Sequence, residues 1–241
     1  MGRKIVGALA AAALGGTLVV WAPWAAHAGA RASYEPMLNP AEFSTTIDNP
    51  YFPLPVGRQL VYKGVKDGQS QVDTVTVTNR TRLTAEGITA RVVTDVAKHG
   101  TTLLEKTEDW YAQDNAGNVW YLGEKTAAYD NGQVDRSGSW ESGVHDAEPG
   151  IVMEAHPKVP DAYRQEYSPR DEAQDTAWIV DTDATQRVPY GVFHQALVSL
   201  EASVVEPGAY DKKVYGKGVG IIYEEALTGE SEIAKLVSVS G

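Results

Sequence analysis

Imidazole and carboxylate side chains concentrate in one stretch of this chain. Between Trp140 and Tyr167 lie His145-Asp146 and Glu154-Ala155-His156, and Glu141, Glu148, Asp161 and Glu166 add further carboxylates. Mixed nitrogen and oxygen donors suit a divalent cation. Glu154 and His156 are two apart, so a strand would point them the same way, and Glu154, His156 and Glu166 are the candidate metal ligands. Two of these carboxylates flanking a cleft could instead form the acid/base pair of a sugar hydrolase, an inference that depends on their separation. The plainer alternative is a solvated strand face that ends at Pro157.

A second set is aromatic. Trp110, Tyr111, Trp120, Tyr121, Tyr129 and Trp140 fall close together in a chain with only three phenylalanines. Each Trp and Tyr joins a large apolar ring to one polar atom, so the set can pave a sugar-binding or lipophilic groove, or serve as core with its N–H and O–H groups satisfied. Trp110, Trp120, Tyr121 and Trp140 are the candidate ligand-binding residues, with Trp110 and Trp120 expected as a cross-strand pair around the Asp114–Asn118 turn. His194 joins them, because alternation places it with Val192, Ala196, Val198 and Leu200 on an apolar face. Gly216, Gly218 and Gly220 would strip one face of a strand running from Lys213 to Glu224. That face is either a groove wall or a strongly coiled strand covered by a neighbouring aromatic.

Other chemistry is excluded by composition and spacing. The chain has no cysteine, which removes disulfides, thiol nucleophiles, zinc–thiolate sites and a lipid-anchored N-terminal cysteine. There is no G-x-S-x-G, no H-E-x-x-H, and the glycines near Gly216 miss both the dinucleotide and the phosphate-loop patterns. Asp181-Thr182-Asp183 opens like a calcium loop but lacks its glycine and closing glutamate. No cofactor is evident beyond a possible divalent metal.

The elements that must position these residues follow a leader. Basic Arg3 and Lys4 precede an uncharged run from Ile5 to Trp24 and an A-x-A site at Ala26-His27-Ala28, the three parts of a cleaved secretory signal over residues 1–28. The expected product is secreted or periplasmic, with no stable membrane insertion after cleavage. Losing Arg3 and Lys4 moves the formal net charge from −11 to −13. An acidic surface argues against nucleic acid and anionic lipid as partners and leaves a small-molecule or lipophilic ligand open.

Residues 29–56 read as an extended polar lead-in, where Pro40, Pro50, Pro53 and Pro55 forbid a long helix. From 57 to 241 period-two alternation dominates, as in Val72–Thr78, where Val75 and Val77 oppose Thr74, Thr76 and Thr78. Lys66-Asp67-Gly68 and Asp130-Asn131-Gly132 supply the positive-φ positions of tight hairpins. Helix is scarce; Ser168-Pro169-Arg170-Asp171 could start one short turn. The expected fold is one mainly-β domain, a curved antiparallel meander forming an open or half-closed barrel with few short helices.

Two motifs carry a resemblance: Asn49-Pro50-Tyr51-Phe52-Pro53-Leu54 with Gly57, and the closing series Val188-Pro189-Tyr190-Gly191-Val192-Phe193 with Gly216-Lys217-Gly218-Val219-Gly220. They resemble a broad group of uncharacterised exported bacterial proteins with an N-P-Y-F-P-L-x-x-G opening and a G-x-G-x-G close. The resemblance implies a first strand after the opening motif and a curved antiparallel sheet at the end. It supplies no catalytic residues; the concave face of a curved sheet, with export and the missing catalytic motifs, makes a non-catalytic binding or carrier protein of the cell envelope the expected role.

Overall fold

The structure, a computed structural model, describes residues 34–241 apart from 172 and 230. The proposed signal over residues 1–28 lies outside the described residues. A single 3-10 turn at Pro40–Glu42 precedes sixteen strands. These are β1 (Phe43–Ser44), β2 (Gln59–Lys66), β3 (Gln69–Leu83), β4 (Thr89–His99), β5 (Thr102–Asp114), β6 (Val119–Asp130), β7 (Gln133–Asp135), β8 (Trp140–Glu141), β9 (Glu148–Met153), β10 (Ala162–Arg164), β11 (Glu166–Tyr167), β12 (Asp175–Val188), β13 (Gly191–Ser203), β14 (Tyr210–Gly216), β15 (Gly220–Thr228) and β16 (Glu232–Ser240).

Two meanders, β2 to β6 and β12 to β16, are each built from hairpins between successive strands, and antiparallel pairing of β16 with β2 joins them. Turn chemistry sets the hairpins: Asp67 and Gly68 both have positive φ, as do Asn131 and Gly132, the pair that a tight right-twisting hairpin needs. The sheet then curls until its edges meet. Residues 162–167 form the seam, because β10 pairs with β12 while β11 pairs with β9, and the Gln165 N–H donates to the Asp175 carbonyl at 2.8 Å. The result is a nearly closed antiparallel barrel, and curvature follows from the register shifts in β3, β12, β14 and β16.

Alternation fixes which side chains face inward. On β3 the inward set is Gln71, Asp73, Val75 and Val77; on β2 it is Leu60, Tyr62, Gly64 and Lys66. The end of the barrel nearest the lead-in is apolar. Ile47, Tyr51, Phe52 and Leu54 are all buried there, with Phe52 edge-on to Tyr111 at 5.3 Å between ring centroids. The segment expected as a polar lead-in is therefore a plug. Asn49 holds it: its side chain caps the Tyr51 and Phe52 N–H groups and donates to the Gly117 and Glu154 carbonyls. Fully burying a ring or leucine of this kind contributes about 1.5–3 kcal/mol.

One local expectation is corrected. Lys213–Glu224 is a hairpin, not one strand: Gly218 and Gly220 have φ of 77° and 108° in the β14–β15 turn. Of the three glycines, Gly216 is the one a neighbour crowds, since a Cβ there would lie 2.5 Å from Phe193 Cδ1. That is the aromatic cover of a coiled strand rather than a groove wall. Ser168 to Asp171 makes the single turn expected, with the Asp171 N–H donating to the Ser168 carbonyl at 3.2 Å and the Ser168 hydroxyl donating to Asp171.

Candidate functional site

The anticipated metal set is dispersed. Glu154 and His156 follow the last residue of β9 rather than sharing its face, His156 is exposed, and Glu166 is buried on the seam strand β11. A strand three residues longer would have been needed to aim Glu154 and His156 together. Among the described residues, no three histidine, aspartate or glutamate side chains are placed to hold a metal ion.

The aromatic set divides between the two faces of the sheet. Trp110 packs outside with Ile88, Ala90, Val92, Ala112 and Leu122, beneath the Arg82 guanidinium at 3.9 Å. Trp120 lies against the same cluster, edge-on to Phe43, with its indole N–H donating to Asp114 at 2.9 Å. Tyr121 and Trp140 belong to the interior instead. The cross-strand aromatic pair is Tyr111 and Tyr121, stacked at 4.9 Å, because Ala112 rather than Trp110 stands opposite Trp120. His194 is exposed, its Nδ1 3.2 Å from the Thr185 hydroxyl. A positive φ at Gln195 breaks the alternation there, so Leu197, Ser199 and Glu201 face inward beyond it. The five candidates therefore line no common groove.

What the fold does bring together was not anticipated. Of 32 acidic residues, eleven are buried among the described ones. The inward rows carry Asp73 on β3, Asp95 on β4, Glu105 and Asp109 on β5, Glu124 on β6 and Glu166 on β11. The other half of the barrel adds Asp175 on β12, Glu201 on β13, Asp211 on β14, Glu224 on β15 and Glu232 on β16. Two lysines accompany them: Lys213 pairs with Glu201 at 2.7 Å, and Lys66 with Glu232 at 3.6 Å. Eleven unit charges cannot share a low-dielectric interior with two counter-charges, so part of the set must hold protons or cations.

Geometry identifies where protons sit. The Tyr121 hydroxyl lies 2.7 Å from Asp109 Oδ1 and 3.2 Å from Glu124 Oε2. One hydroxyl has one proton to give, so the second contact is a hydrogen bond only when that carboxyl is protonated. Burial, then the nearby Asp95 charge, pushes Asp73 up to about 9. Burial raises Asp109 to about 8 against the opposing Tyr121 hydrogen bond. Glu224, 1% exposed, stands well above the ordinary range for the same first reason. Neither Glu224 oxygen has a hydrogen-bond partner among the described residues, nor does Asp73 Oδ2.

Glu201 is a member with a cationic partner. It accepts from the Tyr215 hydroxyl at 3.1 Å and the Ser199 hydroxyl at 3.0 Å besides pairing with Lys213. Burial alone would push the Lys213 ammonium down, yet the Glu201 charge and hydrogen bond raise it. The interior therefore favours an ammonium ion, in spite of desolvation.

Free space inside is small. A cavity of about 30 Å³ lies at the plugged end, lined by Phe52, Leu54, Leu60, Tyr62, Asp109 and Tyr111 among others. That is about the volume of one water molecule and far below the roughly 300 Å³ of the smallest drug-sized pockets.

No family model and no curated protein matches this sequence. Two solved structures are similar in fold. One is a protein of Bacteroides fragilis described as exported with a YmcC-like fold: 14% identity, TM-score 0.42, covering 79% of this chain and 99% of that one. The other, from Parabacteroides distasonis and described as a lipoprotein, has 15% identity and a TM-score of 0.40, covering 79% and 98%.

Proposed function

We propose that this is an exported, non-catalytic binding protein whose barrel interior takes a small cationic ligand bearing an amine. The leader sequence supports export. The observation that carries the ligand class is Glu224: a buried carboxyl without hydrogen bonds, directly opposite Lys213 on β14, in an interior that already stabilises one ammonium. The small cavity favours a compact cation over a lipophilic ligand, and the dispersed metal set favours an amine over a coordinated metal.

Calorimetry with methylamine at about pH 8, with calcium and magnesium as controls, tests this. Binding should raise the unfolding temperature and release protons to the buffer, since a carboxyl raised by burial gives up its proton when a cation arrives. Glu224→Gln should fold and lose the proton release. The absence of any stabilisation by methylamine, or unchanged proton release in Glu224→Gln, would refute the reading.

A second reading, a carboxylate-dependent hydrolase, has one specific support. Glu154 is pushed up to about 7, first by burial and then by the adjacent Asp161 charge, the condition of a general acid. If it is correct, hydrolysis of aryl glycosides should be measurable with the wild type and fall by about 100-fold or more in Glu154→Gln. No wild-type turnover would remove this reading.

A further inference from the structure

The outer face of the same barrel has the opposite charge. Because the strands alternate, the positions between the inward ones point outward, and six of these are lysines: Lys63, Lys98 and Lys235, with Lys106, Lys125 and Lys212 directly after the buried Glu105, Glu124 and Asp211. Register places them side by side. Lys235 and Lys63 are directly opposite each other on β16 and β2, and Val72 on β3 links Lys63 to Lys98 on β4. Like charges directly opposite across a ladder are destabilising, so the Lys63–Lys235 pair is not there for the fold's sake. Two acids share the outward positions at the margins, Glu108 opposite Lys125 and paired with Arg80 at 2.9 Å, and Glu225 opposite Lys212; β2, β4 and β16 carry none outward.

Apolar side chains lie among the lysines. Ile233 and Val65 are opposite each other one step from the lysine pair, and remain 38% and 48% exposed. Lys212 and Lys235 both lean over the Tyr223 ring, which leaves their ammonium groups at the rim of an apolar patch. Burial of the acids of these strands inside is what permits this, because Asp73, Asp95 and Glu232 on β3, β4 and β16 all point inward.

We propose that this convex lysine face, centred on β16, β2 and β4, docks the protein on an anionic phospholipid surface. Clustered lysines are attracted to the negative headgroup potential, and the exposed Ile233 and Val65 add shallow apolar insertion, which a soluble phosphate polymer would not reward. The inference is independent of the ligand reading above.

Co-sedimentation with phosphatidylglycerol–phosphatidylcholine vesicles tests it. The wild type should bind these vesicles, not pure phosphatidylcholine, and release at high salt. Lys63→Glu with Lys235→Glu should weaken binding at least tenfold, and Ile233→Ser should weaken it without changing the salt dependence. If the double charge reversal misfolds, the salt titration and Ile233→Ser on the intact lysine face decide the matter. Equal binding to neutral vesicles, no binding at all, tighter binding to a polyanion lacking lipid, or a dimer that Ile233→Ser dissolves would overturn the proposal.

Discussion

Thermal stability is expected to fall as the pH rises from about 5 to about 8, the reverse of a protein whose carboxylates are stabilised by ion pairs. Asp73 and Asp109 are raised in the fold, to about 9 and about 8, while the unfolded chain has ordinary carboxyls. Between the unfolded and folded values the native state binds more protons than the unfolded state, so stability drops with pH throughout that window. The slope is about 1.4 kcal/mol per pH unit for each carboxyl that stays protonated. One such group costs about 4 kcal/mol from pH 5 to 8, or roughly 8–16 °C of unfolding temperature for a chain of this size. Asp73→Asn removes the proton linkage and keeps the oxygen that accepts from Gln71 Nε2 at 2.9 Å. It should be nearly neutral at about pH 5 and clearly stabilising at about pH 8, as read by calorimetric unfolding at both pH values.

Lys213→Met is expected to be the most damaging single change. It removes the fully buried ammonium that pairs with Glu201 and faces Glu224, while the methionine preserves most of the apolar stem. Breaking a buried pair from one side leaves an uncompensated charge, at a cost of about 3–5 kcal/mol. The uncompensated negative charge is titratable, so the loss should shrink markedly toward acid pH. Chemical denaturation at about pH 5 and about pH 8 distinguishes this from lost packing, which would cost the same at both. A pH-independent loss would mean that Lys213 fills space and does little electrostatically.

These expectations arise from residues that the sequence placed correctly and misread chemically. Asp73 shares its parity with Val75 and Val77, and Asp95 with Val93, so alternation put each acid on the buried face of its strand. An acid between valines reads as the solvated side until the sheet curls, and only closure through residues 162–167 turns that side into an interior. The net charge is divided for the same reason: eleven acids lie inside, while Lys63, Lys98 and Lys235 lie outside.

Strand identity was legible because the alternation of β2 to β6 is strong and its turns carry Asp-Gly and Asn-Gly. Parity failed wherever a bulge intervened. Gln195 reversed the face of His194, and the bulge between Asp109 and Tyr111 helped make Tyr111–Tyr121, not Trp110–Trp120, the paired aromatics. The proline-rich opening was legible as non-helical; that Phe52 and Leu54 would plug the barrel depended on contacts with β2, β3 and β5 far along the chain.

The central claim is that the barrel interior keeps carboxyl groups protonated at neutral pH and exchanges those protons for a cation. A carboxyl-carbon NMR titration, with Asp73→Asn and Glu224→Gln used to assign resonances, tests it most directly. The account predicts titration midpoints above about pH 7 for Asp73 and Asp109 and one raised well above the ordinary carboxyl range for Glu224, all moving downward when methylamine is added. Complete ionisation of all three below about pH 5, with no response to the amine, would contradict it.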